Sequence, residues 1–105
     1  MTMMAFRARD PSACGVLEID EEGVVVNFHE KVKAPPGNLA NAAIYIFSRD
    51  FFGEIKQNFQ NATELTTEVF PYLKNRIFSY EISAPLIDIG TPENYAEAQS
   101  LISTP

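Results

Sequence analysis

The feature that most constrains the fold of this chain is a pair of short β-rich segments on either side of an acidic turn. Residues 15–19 (GVLEI) and 24–28 (VVVNF) flank residues 20–23 (DEEG). Valine and isoleucine favour extended backbone, and a four-residue connection that contains glycine is typical of a β-hairpin. The two segments therefore predict an antiparallel hairpin with the acidic residues in its turn.

Strand and helix patterns alternate along the rest of the chain. The segments with a β-type pattern are residues 1–7, 39–47, 77–82 and 86–89. Apolar residues on both faces in the second half of residues 39–47 predict a strand that is buried on both sides. The segments with a helical pattern follow Ser48, cover residues 68–73 and follow Thr91. This alternation predicts an α/β fold in which a mixed sheet is flanked by helices.

Capping residues predict where the helices begin. Ser48 is the expected N-cap of the first helix, whose apolar stripe consists of Phe51, Phe52, Ile55 and Phe59. Thr66 or Thr67 is expected to cap the second helix. Thr91 is expected to cap the third helix, with Pro92 at its first position. The buried stripe expected for this third helix consists of Tyr95, Ala98 and Leu101 or Ile102.

The composition limits the class of protein. A chain of 105 residues, of which 46% are hydrophobic, suffices for one folded domain with its own core. The formal net charge of −6 argues against sequence-independent binding to nucleic acid and against binding to an anionic membrane surface. Cys14 is the only cysteine, so an intrachain disulfide is excluded and a cytoplasmic location is expected.

Residues with obvious catalytic chemistry are few. His29 is the only histidine, and it is expected to be solvated on the polar face of the hairpin, opposite Val24, Val26 and Phe28. The acidic residues around the turn could meet a hard cation, but their spacing is not that of a calcium loop, so a solvated turn is favoured. The five glycines are all isolated, so the sequence holds no glycine-rich phosphate loop.

Two short stretches carry charges in unusual settings. Glu30 and Lys31 end a predicted strand just before a rigid Pro-Pro-Gly loop, although a surface ion pair is the usual explanation for such neighbours. Asp88 lies within the apolar segment 86–89, where an unpaired buried carboxylate would be costly. Two interpretations of Asp88 stay open, a capping or turn carboxylate and a ligand for a cation.

In this order, several segments resemble the C-terminal half of the sugar-phosphate nucleotidyltransferases, the NDP-sugar pyrophosphorylases. The resembling segments are residues 14–16 (CGV), 20–24 (DEEGV), 28–31 (FHEK), 36–47 (PGNLANAAIYIF), 67–71 (TEVFP) and 87–95 (IDIGTPENY). The chain is most similar to the mannose- and heptose-1-phosphate guanylyltransferase type. The resemblance implies that residues 1–105 form one domain, the sugar-phosphate-binding C-terminal part of a Rossmann-like nucleotide-diphospho-sugar transferase fold.

The family joins a nucleoside triphosphate to a sugar 1-phosphate and releases pyrophosphate, and the resemblance implies roles for individual residues. Gly15 would let the backbone approach the sugar, and Glu30 and Asn41 would bind the sugar. Lys31 would contact the sugar phosphate and Asp88 would bind Mg²⁺, which makes these two the implied catalytic residues. Glycine is frequent in the family where this chain has Ala43, and this departure implies a tighter approach there.

The resemblance does not include the family's N-terminal half, which carries the glycine-rich nucleotide loop, so Met1 is expected to be an internal start. We therefore expect the chain alone to bind GTP–Mg²⁺ negligibly and to be inactive. GTP is the favoured nucleotide, and dTTP with glucose 1-phosphate is the main competing pair. This interpretation predicts a free edge on the first strand, around residues 3–6, and a homodimer through that edge. The alternative is a non-catalytic α/β interaction or regulatory module, for which no large apolar patch is expected.

Overall fold

The chain folds into one mixed sheet with its accompanying helices. A computed structural model describes residues 1–102, and residues 103–105 and the side chain of Ile102 lie outside this description. The strands are β1 (Thr2–Arg7), β2 (Gly15–Ile19), β3 (Val25–Glu30), β4 (Leu39–Ile46) and β5 (Phe78–Glu81). The helices are α1 (Arg49–Asn58), α2 (Leu65–Glu68) and α3 (Pro92–Ile102), and short 3₁₀ turns cover Pro11–Ala13 and Phe70–Leu73. Among the described residues, no helix has the length and apolar character needed to span a bilayer.

The five strands pair in the order β3-β2-β4-β1-β5. β2 and β3 form the predicted antiparallel hairpin, while β1 pairs antiparallel with β4 and parallel with β5. Met3 of β1 thus faces Tyr45 on one side and Ser79 on the other. The prediction of a free edge around residues 3–6 is wrong, because β5 occupies that edge. The homodimer expected through this edge therefore lacks the unpaired backbone groups that it would need.

A β-bulge in the hairpin changes which side chains enter the core. The register of β2 against β3 shifts beside Val26, which leaves that residue without a partner of its own. Val25 is consequently fully buried. Beyond the bulge, Phe28 points inward as predicted and stacks on Phe70, with ring centroids 6.1 Å apart. The predicted face of Val24, Val26 and Phe28 is therefore correct only for its last member.

One face of the sheet, which we call the inner face, packs against α1 and the turn at Phe70–Leu73. The buried core consists of Met3, Ala5, Leu17, Val25, Leu39, Ile55, Val69, Phe70, Leu73 and Ile77. Ser48 caps α1 as predicted, because its hydroxyl oxygen accepts a hydrogen bond from the Phe51 N–H (3.1 Å). Three members of the predicted stripe of α1 pack in or against the core, whereas Phe52 remains 55% exposed.

The second half of β4 is buried on one face only, in contrast to the prediction. Tyr45 points to the inner face, where its ring lies 5.0 Å from that of Phe70. Ile44 and Ile46 point to the opposite side of the sheet, which we call the outer face. They remain 48% and 62% exposed, because the described residues leave this part of the outer face uncovered.

The second helix begins earlier than its threonines suggest. α2 starts at Leu65, and the Glu68 carboxylate accepts hydrogen bonds from the backbone N–H groups of Thr63 (2.8 Å) and Glu64 (2.7 Å). These bonds satisfy donors at the start of the helix that would otherwise have no partner. Neither of the two threonines predicted as the N-cap is needed for that purpose.

Residues 86–89 do not form a strand, in contrast to the prediction. The chain leaves β5 and crosses to α3 in an extended but unpaired conformation, because no neighbouring strand lies beside this segment. The apolar composition that suggested a strand instead serves partial burial, since Leu86 and Ile87 are half-buried while Asp88 and Ile89 are exposed. Asp88 therefore does not lie inside a sheet.

The third helix is capped as predicted but is packed differently. The Thr91 hydroxyl accepts a hydrogen bond from the Asn94 N–H (3.1 Å), and Pro92 occupies the first helical position. The prediction of a buried stripe is wrong, because Tyr95 and Leu101 are 53% and 45% exposed. The helix lies at the periphery, where Glu97 forms an ion pair with Arg9 (2.8 Å).

Candidate functional site

Three of the residues singled out by the resemblance lie side by side on neighbouring strands. Gly15 of β2 is the ladder partner of Glu30 of β3, and Asn41 belongs to β4 on the other side of β2. A Cβ atom at Gly15 would lie 2.7 Å from Glu30 Oε2 and 3.8 Å from the Asn41 Cβ. A side chain at this position would displace the carboxylate of Glu30. Glycine thus keeps open a small space bounded by one carboxylate and one amide.

The side-chain amide of Asn41 is held at both ends. Its Nδ2 donates a hydrogen bond to the hydroxyl oxygen of Tyr45 (2.9 Å), and its Oδ1 accepts one from the Ala43 N–H (2.8 Å). Ala43 adopts a left-handed backbone with φ 60°. This conformation explains a preference for glycine at the position, since an L-residue there costs roughly 1–2 kcal/mol. The departure at Ala43 therefore strains the backbone.

Tyr45 is a site residue that the sequence analysis missed. Its ring packs edge-on against Phe70 and Phe47, which leaves the hydroxyl oxygen to accept the hydrogen bond from Asn41. Burial raises the pKa of the Tyr45 phenol, the hydrogen bond from Asn41 opposes this, and the charge of Glu30 adds to it. A tyrosine at an inward-facing strand position needs a partner for its hydroxyl group. That requirement was the available signal.

Lys31 follows β3 directly and is turned out of the strand. Its backbone has φ 53°, and its N–H donates a hydrogen bond to the carbonyl oxygen of Cys14 (3.0 Å). The residue is exposed. Within residues 1–102, no carboxylate lies at ion-pairing distance from its ammonium group. Lys31 thus presents an unneutralised cation next to the Glu30 carboxylate.

The electrostatic surroundings of Cys14 show that Asp88 lies near the same end of the sheet. Burial raises the pKa of the Cys14 thiol most, and the carboxylates of Asp10, Glu30 and Asp88 raise it further. The charge of Lys31 acts in the opposite direction. Because such effects weaken with distance, the charges of Glu30, Lys31 and Asp88 are gathered around one thiol. The tertiary fold brings Asp88 to this end from far along the chain.

Asp88 itself is an exposed turn carboxylate. Its Oδ1 accepts a hydrogen bond from the Gly90 N–H (2.9 Å), which agrees with the first of the two interpretations from the sequence. The other carboxylate oxygen remains available. No cluster of three or more His, Cys, Asp or Glu side chains in the described part of the chain could hold a metal ion. Asp88 nevertheless fits Mg²⁺ as a single ligand, because this ion is often bound through one or two carboxylates, waters and substrate phosphates.

His29 is paired, in contrast to the prediction that it is solvated. Its Nε2 lies 2.7 Å from Glu18 Oε2, and its side chain is only 27% exposed. This hydrogen bond lowers the pKa of the Glu18 carboxyl. Successive side chains of a strand alternate between faces, so His29 lies on the face opposite Glu30. The histidine therefore stabilises the hairpin and lies apart from the Gly15–Glu30–Asn41 cluster.

Comparison with known proteins follows the same residues. Residues 1–104 match the family model described as nucleotidyl transferase. The chain belongs to this family. Its mixed five-stranded sheet with flanking helices also confirms the predicted fold class.

Characterised relatives are sugar-1-phosphate nucleotidyltransferases. The chain is 35% identical over 104 residues to the mannose-1-phosphate guanylyltransferase of Mycobacterium tuberculosis, a match that covers 95% of this chain and 28% of the relative. It is 31% identical over 96 residues to the glucose-1-phosphate adenylyltransferase of Mycoplasma mobile, covering 85% of this chain and 25% of the relative. The recognition of the family from the sequence is thus confirmed.

A solved structure shares the fold of this nucleotidyl transferase chain. It is a protein from Bacillus anthracis assigned as a glucose-1-phosphate thymidylyltransferase, in complex with sucrose. The TM-score is 0.77 and the sequence identity 26%, and the match covers 95% of this chain and 42% of the solved chain. This chain therefore spans about a quarter of the length of the curated relatives and less than half of the solved one.

Proposed function

We propose that this chain is the sugar-phosphate-binding part of a nucleotidyltransferase that forms an NDP-sugar and pyrophosphate from a nucleoside triphosphate and a sugar 1-phosphate. The observation that supports this most directly is the space at Gly15. A Cβ atom there would lie 2.7 Å from Glu30 Oε2, and the amide of Asn41 borders the same space. A carboxylate and an amide facing a gap beside bare backbone suit the vicinal hydroxyl groups of a sugar.

The other proposed roles follow from charge. Glu30 accepts hydrogen bonds from sugar hydroxyls, and the adjacent ammonium group of Lys31 binds the phosphate as a compact cation. In this proposal Asp88 is the residue that holds Mg²⁺, which supplies charge neutralisation at the phosphates when bound. Catalysis by such groups consists mostly of positioning the reactants and screening their negative charge.

We further propose GTP as the nucleotide and inactivity of the chain by itself. The preference for GTP rests on the similarity to mannose-1-phosphate guanylyltransferases, one of which is 35% identical to this chain. The inactivity rests on charge, because three of the arginines are already neutralised. The ion pairs are Arg7–Glu81, Arg9–Glu97 and Arg76–Glu54. A triphosphate needs cations that this chain, with a net charge of −6, does not offer. A cytoplasmic location is part of the same proposal.

The alternative function, a stand-alone interaction or regulatory module, fits less well. That interpretation expected no large apolar patch on the surface. Ile44 and Ile46 are 48% and 62% exposed on neighbouring outward positions of β4. Such exposure supports a chain that functions together with additional polypeptide.

The proposal is tested by titrating the chain with mannose 1-phosphate and following backbone amide resonances. We expect shifts at Gly15, Lys31 and Asn41, and we expect Glu30→Gln to weaken binding by about tenfold, because one charged hydrogen-bond acceptor is lost. Glu21→Gln is the matched control, since Glu21 is exposed in the hairpin turn. Shifts confined to other residues, or equal weakening by both variants, would contradict the proposal.

A further inference from the structure

The outer face of the sheet carries a continuous apolar surface on three adjacent strands. Thr2 of β1 pairs with Ile46 of β4 and with Phe78 of β5, and Met4 pairs with Tyr80 of β5. Because paired residues share a face, all of these side chains project to the side opposite the core. The residues that make up this surface, which we call the outer patch, are Thr2, Met4, Ile44, Ile46, Phe78 and Tyr80.

The four largest members of the outer patch are unusually exposed. Phe78 and Tyr80 are 54% and 63% exposed, and Ile44 and Ile46 are 48% and 62% exposed. Together they present several hundred Å² of contiguous apolar surface, which is the upper range for a monomer and is often functional. Helix α3 reaches only one end of the outer face, where its Leu101 lines the same cleft as Phe6.

The topology indicates that this face is normally covered. β1 and β5 are parallel, and parallel strands occur almost only where both faces of the sheet are packed against other elements. The solved relative has the same fold at a TM-score of 0.77, yet this chain covers only 42% of it. The fold therefore exists elsewhere with more than its own length of further polypeptide.

We propose that the outer patch is the docking surface for the polypeptide that completes the nucleotidyl transferase domain. This inference rests on the proposed function and names the partner that the site requires. The partner packs an apolar element on the patch, and it carries the positive charge that a nucleoside triphosphate needs. Its charge is thereby complementary to the −6 of this chain, whereas a second copy would bring the same negative charge.

The probe for the experiment is the part of the Mycobacterium tuberculosis relative that precedes the region matched by this chain, co-expressed with the full 105-residue chain. Light scattering after size-exclusion chromatography is expected to show a one-to-one complex. Tyr80→Lys and Ile46→Lys are expected to weaken it by at least about tenfold, because a lysine ammonium would have to be desolvated in the interface. Tyr72→Lys is the matched control, since Tyr72 is 75% exposed but lies on the other side of the sheet, against Phe59.

Three outcomes would overturn the inference. They are the absence of a complex, equal affinity of the patch variants and the control, and a symmetric dimer of this chain that the patch variants abolish. Amide spectra of each variant verify that it is folded. Titration of the same samples with mannose 1-phosphate separates the two proposals. If the sugar phosphate binds but no complex forms, only the docking surface is refuted. If the complex forms but the sugar phosphate does not bind, only the proposed function is refuted.

Discussion

Gly15 is the residue whose environment leaves least room for substitution. In Gly15→Ala the new methyl group would meet Glu30 Oε2 at 2.7 Å, so the carboxylate has to move away from the space beside Asn41. We expect affinity for mannose 1-phosphate to fall by about tenfold, with a loss of about 1 kcal/mol or less in the free energy of unfolding, because the clashing atom ends a flexible side chain. Calorimetry and urea unfolding measure the two effects.

Gly37→Ala is the matched control for this substitution. No atom lies within 4 Å of a Cβ built at Gly37, so neither quantity should change. Normal sugar phosphate binding by Gly15→Ala would show that the position of Glu30 is not required for it.

Tyr45 positions Asn41 through a single hydrogen bond of 2.9 Å. Tyr45→Phe keeps the ring against Phe70 but removes the acceptor of the Asn41 amide. We expect the free energy of unfolding to fall by about 1 kcal/mol, and affinity for the sugar phosphate to fall severalfold because the amide is free to rotate. The side-chain amide resonances of Asn41 should broaden, which a general loss of stability would not cause. Sharp Asn41 resonances and unchanged affinity would show that Tyr45 is only a core residue.

The position of Asp88 can be tested through the thiol of Cys14. Nearby carboxylates raise the pKa of this thiol because they disfavour the thiolate, and Lys31 lowers it. Asp88→Asn should therefore lower the thiol pKa and speed its reaction with a disulfide reagent near pH 8, whereas Lys31→Gln should raise the pKa and slow the reaction. Reaction rates measured across a pH series give both values.

Asp50→Asn serves as the control in that series, because Asp50 lies in the first turn of α1 and has no listed effect on Cys14. Identical pH profiles for Asp88→Asn and the unmodified chain would place Asp88 away from the candidate site.

Among the elements, α2 depends on the charge of one carboxylate. The hydrogen bonds from the backbone N–H groups of Thr63 and Glu64 lower the pKa of Glu68 below its ordinary value of 4.5. A carboxyl whose pKa is lowered on folding stabilises the protein fully above the ordinary value, and this contribution disappears as the pH falls through the folded-state pKa. The melting temperature should therefore drop below pH 4.5. Glu68→Gln should have a lower melting temperature at pH 7 and a shallower drop.

Circular dichroism at a series of pH values measures this dependence, and Glu22→Gln, in the exposed hairpin turn, is the control. A pH dependence that is the same in Glu68→Gln and in the control would show that the start of α2 does not depend on the carboxylate.

Elements whose signals are local were predicted well. The cap of Ser48 on α1 and the cap of Thr91 on α3 each involve a hydrogen bond to an N–H three residues further along the chain. The hairpin of β2 and β3 depends on a short acidic turn. By contrast, the segment 86–89 has the composition of a strand but no neighbour to pair with. Pairing is a property of two segments, so composition alone could not exclude it.

The molecule as a whole carries too much negative charge to bind a nucleoside triphosphate unaided. We expect calorimetry of the full chain with Mg²⁺ and GTP to show no binding in the micromolar range, because Arg7, Arg9 and Arg76 are engaged in ion pairs and phosphates need free cations. Mannose 1-phosphate, titrated into the same sample, verifies that the protein is competent. Micromolar affinity for GTP would contradict the prediction of an inactive chain and point to a nucleotide site among these residues.

The residues of the candidate site illustrate how far the sequence reached. Gly15, Glu30, Lys31, Asn41 and Asp88 were named from their resemblance to a family, and the fold places Glu30 and Asn41 on either side of Gly15. Tyr45 was missed because its partner Asn41 could not be identified before the curvature of β4 at Ala43 was known. Asp88 was expected to be buried, and its exposure follows from the unpaired path of its segment.

The sequence by itself determined the hairpin, the helix caps, the class of fold and the family, because each depends on contacts over a few residues or on an ordered set of motifs. Only the tertiary structure decided that β5 covers the edge of β1, that Val25 enters the core, and that Ile44 and Ile46 remain on an open face. These outcomes depend on which distant segments compete for the same strand edge or the same side of the sheet. That competition is settled by burial and pairing across the whole chain, which no local pattern records.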